Sequence, residues 1–595
     1  VTPTNQLTTS RKILRVLGWL LAWSPAVLIL ALLLPLRVPV PFEDSWAFVK
    51  QYHDWWQGDY GWRELMAPHN NHPSAMGKLF YFAALHWLDG DVGALPLLAW
   101  AFSLAISIAV VVMARPLWRG RRARGMLLMF CANLTIFTAA QGHSWVWDFI
   151  FQNFIPGVAF CVALAVLWKM PGSWLALAGA ALLAIASTFS FGTGLLAGLL
   201  LTPMVWFHFS GKPRTTRLII TGCWVLFMGA TAWLALAGFG SATNTGDGSR
   251  VGSLLEQPIL LGHFALVLLG YLLGNGTTME PGVLCAVMGA GLVSVLLASL
   301  FRLWQLRKEA QVFQAALPWL LITLFGLGNA TLISYGRLRA SLIAAMAPRY
   351  VTFTLFFALG VLMLAAVIAT RDTPSGWFRG FARRAGSLLL GGFIAMHVVN
   401  WNHGYQHMKW EHERMKQDRA MLAFAKVLPL DPEVMWQNLD HKDLTTKLAL
   451  FLAGHDKLKG VRMVDSVDIS TYRKGSPLPD KWAWLEQPSV HEGVMHLEGT
   501  CGVSKDTVSL PDLIVITAQA TGAAENIISF ATPRQPFDFY ENEWLRRQHV
   551  AHYFGWDRDL PLTRFPKAHM TIRAYGYWLK GRTVRALDHE YQIDP

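Results

Sequence analysis

The segment SPAVLILALLLPLRVPVPFEDSW, residues 24–46, decides the fold class. Its apolar half, Ala26–Leu36, carries no charge, and Ala101–Met113 and Leu355–Ala369 repeat the pattern. A transmembrane helix needs about 20 predominantly apolar residues, because the hydrocarbon core is roughly 30 Å thick. Only helices or closed barrels satisfy their backbone there, and these runs lack the alternation of barrel strands. The segment then turns polar within a few residues, at Glu43-Asp44. A membrane helix therefore delivers two adjacent carboxylates to its own end.

The rest of the chain extends that reading. It has 595 residues, 53% hydrophobic, with 27 Trp and 34 Phe, and the apolar residues come in long runs between 16 and 402. A soluble chain would spread them over several cores joined by polar linkers. The formal charge of +13 lies largely in four short junctions: Arg115–Arg124, Lys212–Arg217, Arg302–Lys308 and Arg371–Arg384. That is the positive-inside pattern, and it argues against nucleic acid as a partner. Cys131, Cys161, Cys223 and Cys285 fall in apolar segments and Cys501 stands alone, so no disulfide framework or cysteine zinc site follows. The first apolar segment follows Arg11, Lys12 and Arg15 but lacks a small-residue cleavage site, and it reads as a retained anchor.

Threading the helices between the basic junctions predicts a polytopic α-helical membrane protein with about eleven crossings, its N-terminus cytoplasmic. The expected spans are 16–36, 92–114, 126–141, 156–170, 173–190, 191–209, 218–239, 281–301, 316–335, 350–370 and 386–402. The apolar segment 256–274 is short and glycine-interrupted, and is expected as an external, partly inserted helix. If it crossed, the side of the arginines that follow it would flip. Residues 1–402 form the transmembrane domain, with a long first external loop at 37–91. Residues 403–460 read as a polar helical linker. Residues 461–595 read as an extracytoplasmic β-rich domain, from short strand-like runs such as Asp512–Ala520 and Met570–Trp578.

Polar residues gather in three places. Loop 37–91 carries Glu43, Asp44, His53, Asp54, His69, His72 and Lys78, interleaved with Trp46, Trp55, Trp56 and Trp62. A carboxylate near the bilayer surface can serve as a general base, although interfacial tryptophans on a solvated loop would look similar. His69-Asn-Asn-His72 matches no strong zinc pattern. The second loop holds Asp148, Gln152 and Asn153, and Asp148 is the one charged residue between Arg124 and Lys169. The third patch is Arg337, Arg339, Arg349 and Tyr350, on the external side by this threading. Arginine's planar, bidentate donors suit phosphate, while lipid headgroups or a salt bridge would also occupy them. No Walker A or dinucleotide fingerprint stands out, and helix packing explains Gly192-Thr-Gly194.

The acidic pair after helix 1, the long first loop, the second acidic loop and the external C-terminal domain together resemble the GT-C superfamily. These are integral membrane glycosyltransferases that use polyprenyl-phosphate-linked sugars. The segment Trp147-Asp-Phe-Ile-Phe-Gln152-Asn-Phe and Ala-Pro-Arg349-Tyr350 carry the likeness, as does His69–Leu88, which resembles the family's surface helix. The resemblance covers roughly residues 15–400. It implies a catalytic acid at Asp44, with Glu43 beside it, and a donor phosphate at Arg337, Arg339, Arg349 and Tyr350. It implies acceptor contacts at Asp148, Gln152, His69, His72, Lys78 and Trp46. The implied partners are the lipid-linked sugar donor, a glycan or glycolipid acceptor and the bilayer of a bacterial inner membrane. No Asp-x-Asp is clear, so no cofactor is assigned and a divalent cation stays open. The rival readings are a lipid-linked glycan polymerase or ligase, a transporter or flippase, and a scaffold for envelope assembly. Transport would place charge at mid-bilayer, whereas here charge sits at helix ends.

Overall fold

The computed structural model describes residues 4–70, 72–118, 122–237, 257–275, 281–337, 342–371, 377–430, 442–477, 483–502, 511–533, 553–565, 568–579 and 581–593. Arg339 lies outside them. In chain order the helices are α1 (Thr4–Leu36), α2 (Ser45–Gln57), α3 (Trp62–Met66), α4 (Ala75–Trp87), α5 (Leu95–Ala114), α6 (Arg122–Ile136) and α7 (Gly142–Val146). Then come α8 (Phe154–Lys169), α9 (Trp174–Thr188), α10 (Leu195–Leu200), α11 (Thr202–His208), α12 (Arg214–Ala237), α13 (Pro258–Gly274) and α14 (Pro281–Gln305). The last are α15 (Ala310–Arg337), α16 (Val351–Arg371), α17 (Trp377–Leu422) and α18 (Lys442–Gly454).

Among the described residues, eight helical stretches are long and apolar enough to cross a membrane. Their outward faces are apolar too: Leu226 on α12 is 76% exposed and Leu388 on α17 77%. Such surface is costly in water and costs nothing in lipid. Three of the expected spans take a different form. Residues 173–190 give the 15-residue α9. Residues 191–209 give two short helices, the second restarting at Pro203. Residues 386–402 belong to the 46-residue α17, which runs on past His403. Gly404 does not stop that helix; a Cβ there would stand 1.9 Å from the Ala139 carbonyl, so it is a point of backbone contact.

Two compact units partition the chain: Val1–Arg37, Gly58–Phe82 and Gly93–Trp410 in the first, and Val38–Gln57, Ala83–Val92 and Glu411–Pro595 in the second. The first unit is helical. In α1, Pro25 supplies no amide for the Leu21 carbonyl one turn back, and the Ser24 hydroxyl donates to it instead at 2.8 Å. Asn133 of α6 donates to Ala22 O (2.7 Å) and accepts from Ser107 of α5 (2.6 Å), so one amide ties three apolar helices together. Helix α13, expected as an external, partly inserted helix, is buried at Phe264 and over Val267–Gly274. A Cβ on Gly270 would lie 1.8 Å from Cys285 O, and one on Gly289 2.1 Å from Leu266 O. Glycine there lets α13 pack antiparallel on the first half of α14, backbone to backbone.

The second unit holds α2, α18 and the strands. One sheet has the order β1 (Arg473–Lys474), β9 (Thr583–Ala586), β8 (Met570–Trp578), β5 (Leu513–Ala520), β6 (Asn526–Ala531), with β10 (Tyr591–Ile593) also on β8. The other pairs β2 (Ala483–Leu485), β4 (Val494–Gly502) and β3 (Ser489–His491), with β7 (Tyr553–Pro561) on β4. Ile514, Ile516 and Ile572 of the first sheet share a core with Met495, Leu497 and Trp556 of the second. Cys501 is buried there, and burial pushes its thiol up to about 12. That makes it a core residue rather than a reactive one.

Candidate functional site

The polar groups of the first unit meet at one end of its helices. His69 and His72 pair as an antiparallel bridge (His69 N to His72 O 2.9 Å, His72 N to His69 O 2.8 Å), with Asn70 at φ +45°, which asparagine tolerates. The His-Asn-Asn-His motif is thus a hairpin turn and not a helical i,i+3 ligand pair. The His69 ring meets Phe149 edge-on at 5.3 Å, and His72 stacks on Phe191 at 4.2 Å. Burial, with Arg337 and His69 adding repulsion, pulls His72 down to about 4. Its imidazole is therefore neutral in the physiological range.

Helix α4 carries the next groups. Lys78 is 1% exposed, and its ammonium donates to the carbonyls of Glu64 (2.8 Å), Leu65 (3.2 Å) and Ala67 (2.8 Å). Burial draws this ammonium down to about 8, opposed by Glu64, so it stays charged at neutral pH as a clamp on the end of α3. The expected acceptor-binding cation is thus committed to the backbone. One turn on, the Tyr81 hydroxyl donates to Asp148 Oδ2 at 2.8 Å, with both groups buried. Gln152 lies against Gly77, where a Cβ would come within 2.3 Å of Gln152 Oε1.

The arginine turn joins the same end. Tyr350 is buried, and the Arg349 guanidinium lies 5.4 Å from its ring centroid. Two residues on, Thr352 donates to Gln141 Oε1 (3.0 Å), and its oxygen lies 2.9 Å from the Ser144 hydroxyl. These bonds hold the turn Pro348–Tyr350 against the segment that leads into Asp148. The arginine turn and the Asp148 loop therefore share an end of the unit, whatever path α13 takes. Arg337 closes α15 and lies near enough to His72 to repel its protonated form. His143 stacks on Trp147 (4.7 Å) and faces His407 (5.7 Å).

The acidic pair belongs to the second unit. Glu43, at φ +46°, accepts from Arg414 at 2.6 Å, and Arg414 also bonds Glu411 (3.1 Å) and covers the Phe42 ring (5.0 Å). Asp418, one turn beyond Arg414, is fully buried, and neither carboxylate oxygen has a hydrogen-bond partner among the described residues. Burial raises its pKa well above the carboxylate range, against the pull of Arg414 and with Glu43 adding to the rise. Asp44 is half-buried at the entrance to α2, its carbonyl accepting from Ala47 N at 3.1 Å. Trp46 is buried, and its indole N–H finds no acceptor among the described residues.

Several of these partners carry no signal in the sequence. Gln141, Ser144, Thr352 and Tyr81 sit in apolar surroundings with nothing to mark them. Arg414 reads as one more charge on a polar helix. Comparison with protein-family models, curated proteins and solved structures finds no match to this chain.

Proposed function

We propose that the chain is an inverting glycosyltransferase that moves a sugar from a polyprenyl-phosphate donor to a cell-envelope glycan or glycolipid on the extracytoplasmic face. The observation that supports this best is the gathering of the His69–Tyr81 segment, the Asp148–Asn153 loop and the Pro348–Tyr350 turn at one end of a bundle of membrane-length helices. Buried polar groups at a helix end, beside arginine, suit a reaction on a lipid-borne phosphate. In this proposal Arg349 and Arg337 take the donor phosphate, and Asp148, held by Tyr81, meets the acceptor. The general base of the transfer is assigned to Asp44 from the resemblance alone. The leaving group is already a phosphate, so the arginines need only stabilise its charge. Glu43, bonded to Arg414, fixes the backbone that presents Asp44.

A general base contributes about 10²–10⁴-fold. Asp44→Asn should lower transfer by that factor in membrane vesicles supplied with lipid-linked sugar, while the protein stays folded. Near-normal transfer by the variant would remove Asp44 from the chemistry.

A further inference from the structure

We infer that the N-terminal end of α4 seats a phosphate group, held by the hydroxyls of Ser74 and Thr193. The inference rests on the reading that this chain handles a phosphate-linked lipid, and it assigns residues to the phosphate beyond the arginines. The 13-residue helix α4 begins directly after Ser74. The first amides of a helix have no intrahelical acceptor and carry its positive dipole end, which favours an anion.

Here the usual side-chain cap is not used. Met76 N donates to Phe189 O at 3.0 Å, but the Ser74 hydroxyl, in the capping position, makes no hydrogen bond among the described residues. Ser74 is 2% exposed and Thr193 4%, and Ser74 Oγ and Thr193 Oγ1 both lack a partner among the described residues. A buried polar atom without a partner costs about 1–3 kcal/mol, so two around one helix end point to a group that satisfies them together.

The two hydroxyls belong to segments that meet at one junction. The turn Phe189–Gly194 lies on the segment before α4: His72 stacks on Phe191, and a Cβ on Gly192 would lie 3.0 Å from His72 Nδ1. Thr193 is the next residue along. Gln152 closes the other side, against Gly77 in the first turn of α4. Of the charges nearby, Arg337 lies near enough to act on His72 and favours an anion, while the opposing carboxylate, Asp148, takes the Tyr81 hydroxyl about two turns along α4. Two hydroxyls and a helix end offer neutral donors, which a phosphate oxygen accepts without a matching charge.

The test uses the full chain in nanodiscs and two probes, inorganic phosphate and a short-chain prenyl monophosphate, with affinity read by titration calorimetry. The Ser74→Ala/Thr193→Val double variant should bind the prenyl phosphate about tenfold more weakly or worse, since hydrogen bonds to a charged group are among the stronger ones. Ser74→Thr, which keeps the hydroxyl, should bind as the parent does. Competition by inorganic phosphate would show a seat for the phosphate group itself. Prenyl phosphate binding that is lost in the double variant but not competed would show a seat specific to the lipid-borne group. Unchanged affinity in the double variant, or no binding of either probe by the parent, would overturn the inference. If the double variant melts early, Thr193→Val alone carries the same comparison. Probe binding without any sugar transfer would remove the proposed reaction and leave the seat standing.

Discussion

Replacing Lys78 by methionine isolates one element of the site's scaffold. Methionine keeps most of the buried stem of a side chain that is 1% exposed, and removes only the ammonium. Three carbonyls, of Glu64, Leu65 and Ala67, then lose their donor. Hydrogen bonds to a charged group contribute about 1.5–3 kcal/mol each when measured singly. Glu64 and Ala67 are exposed and Leu65 is half-buried, so water replaces part of the loss. The buried ammonium itself also carries a desolvation cost that the variant no longer bears. The net effect should be about 2–3 kcal/mol, confined to α3 and the turn that leads to His69. Hydrogen exchange followed by mass spectrometry on peptides covering 61–72 should show protection falling by roughly 30–150-fold, which is that free energy expressed as an opening constant. Peptides from β4 and β8 should be unchanged. Unaltered exchange across 61–72 would refute the clamp, and uniform loss across both units would mean that Lys78 supports the global fold.

Other perturbations test separate elements. Tyr81→Phe removes the hydroxyl from buried Asp148 and should cost about 1.5–3 kcal/mol in thermal or denaturant unfolding; no loss would mean that the 2.8 Å bond contributes nothing net. Arg414→Met leaves Glu43 and Glu411 without their shared cation and should destabilise the second unit by about 3–5 kcal/mol, measured by protease susceptibility of the strand region. Asp418 has a raised folded pKa, so its contribution is fully present below the unfolded carboxylate value and is lost as pH rises through the folded one. Asp418→Asn should therefore gain on the parent in thermal midpoint as pH rises, and parallel curves from acid to alkaline pH would contradict that.

Much of the helical architecture was legible because hydropathy acts over whole helices: α1, α5, α8, α12, α14, α15 and α16 begin or end within a turn or so of most expected boundaries, while α1 starts a dozen residues early. The misread boundaries have local causes. The turn to polar residues at 403 ends the apolar run but not the helix, and Pro203 interrupts a run whose hydropathy alone reads as one helix. In the site, residue types pointed to Asp148, Gln152, His72 and Arg349, because charge or polarity in an apolar run is conspicuous. Their partners were not legible. Which hydroxyl meets Gln141, or which carbonyls receive Lys78, depends on contacts between segments far apart in sequence. The His69–His72 spacing fits a helix and a hairpin equally well, and the pairing of the two backbones decides between them.

The central claim is glycosyl transfer from a lipid phosphate, and its most direct test is a product measurement. The purified chain in nanodiscs would be given a polyprenyl-phosphate-linked sugar and envelope glycolipid acceptors, and the products followed by mass spectrometry and by the anomeric signals in NMR. The account predicts release of polyprenyl phosphate with the sugar joined to the acceptor in inverted configuration, and loss of both when Arg349 is replaced by alanine. A donor that stays intact, or an Arg349→Ala variant that turns it over at the parent's rate, would contradict it.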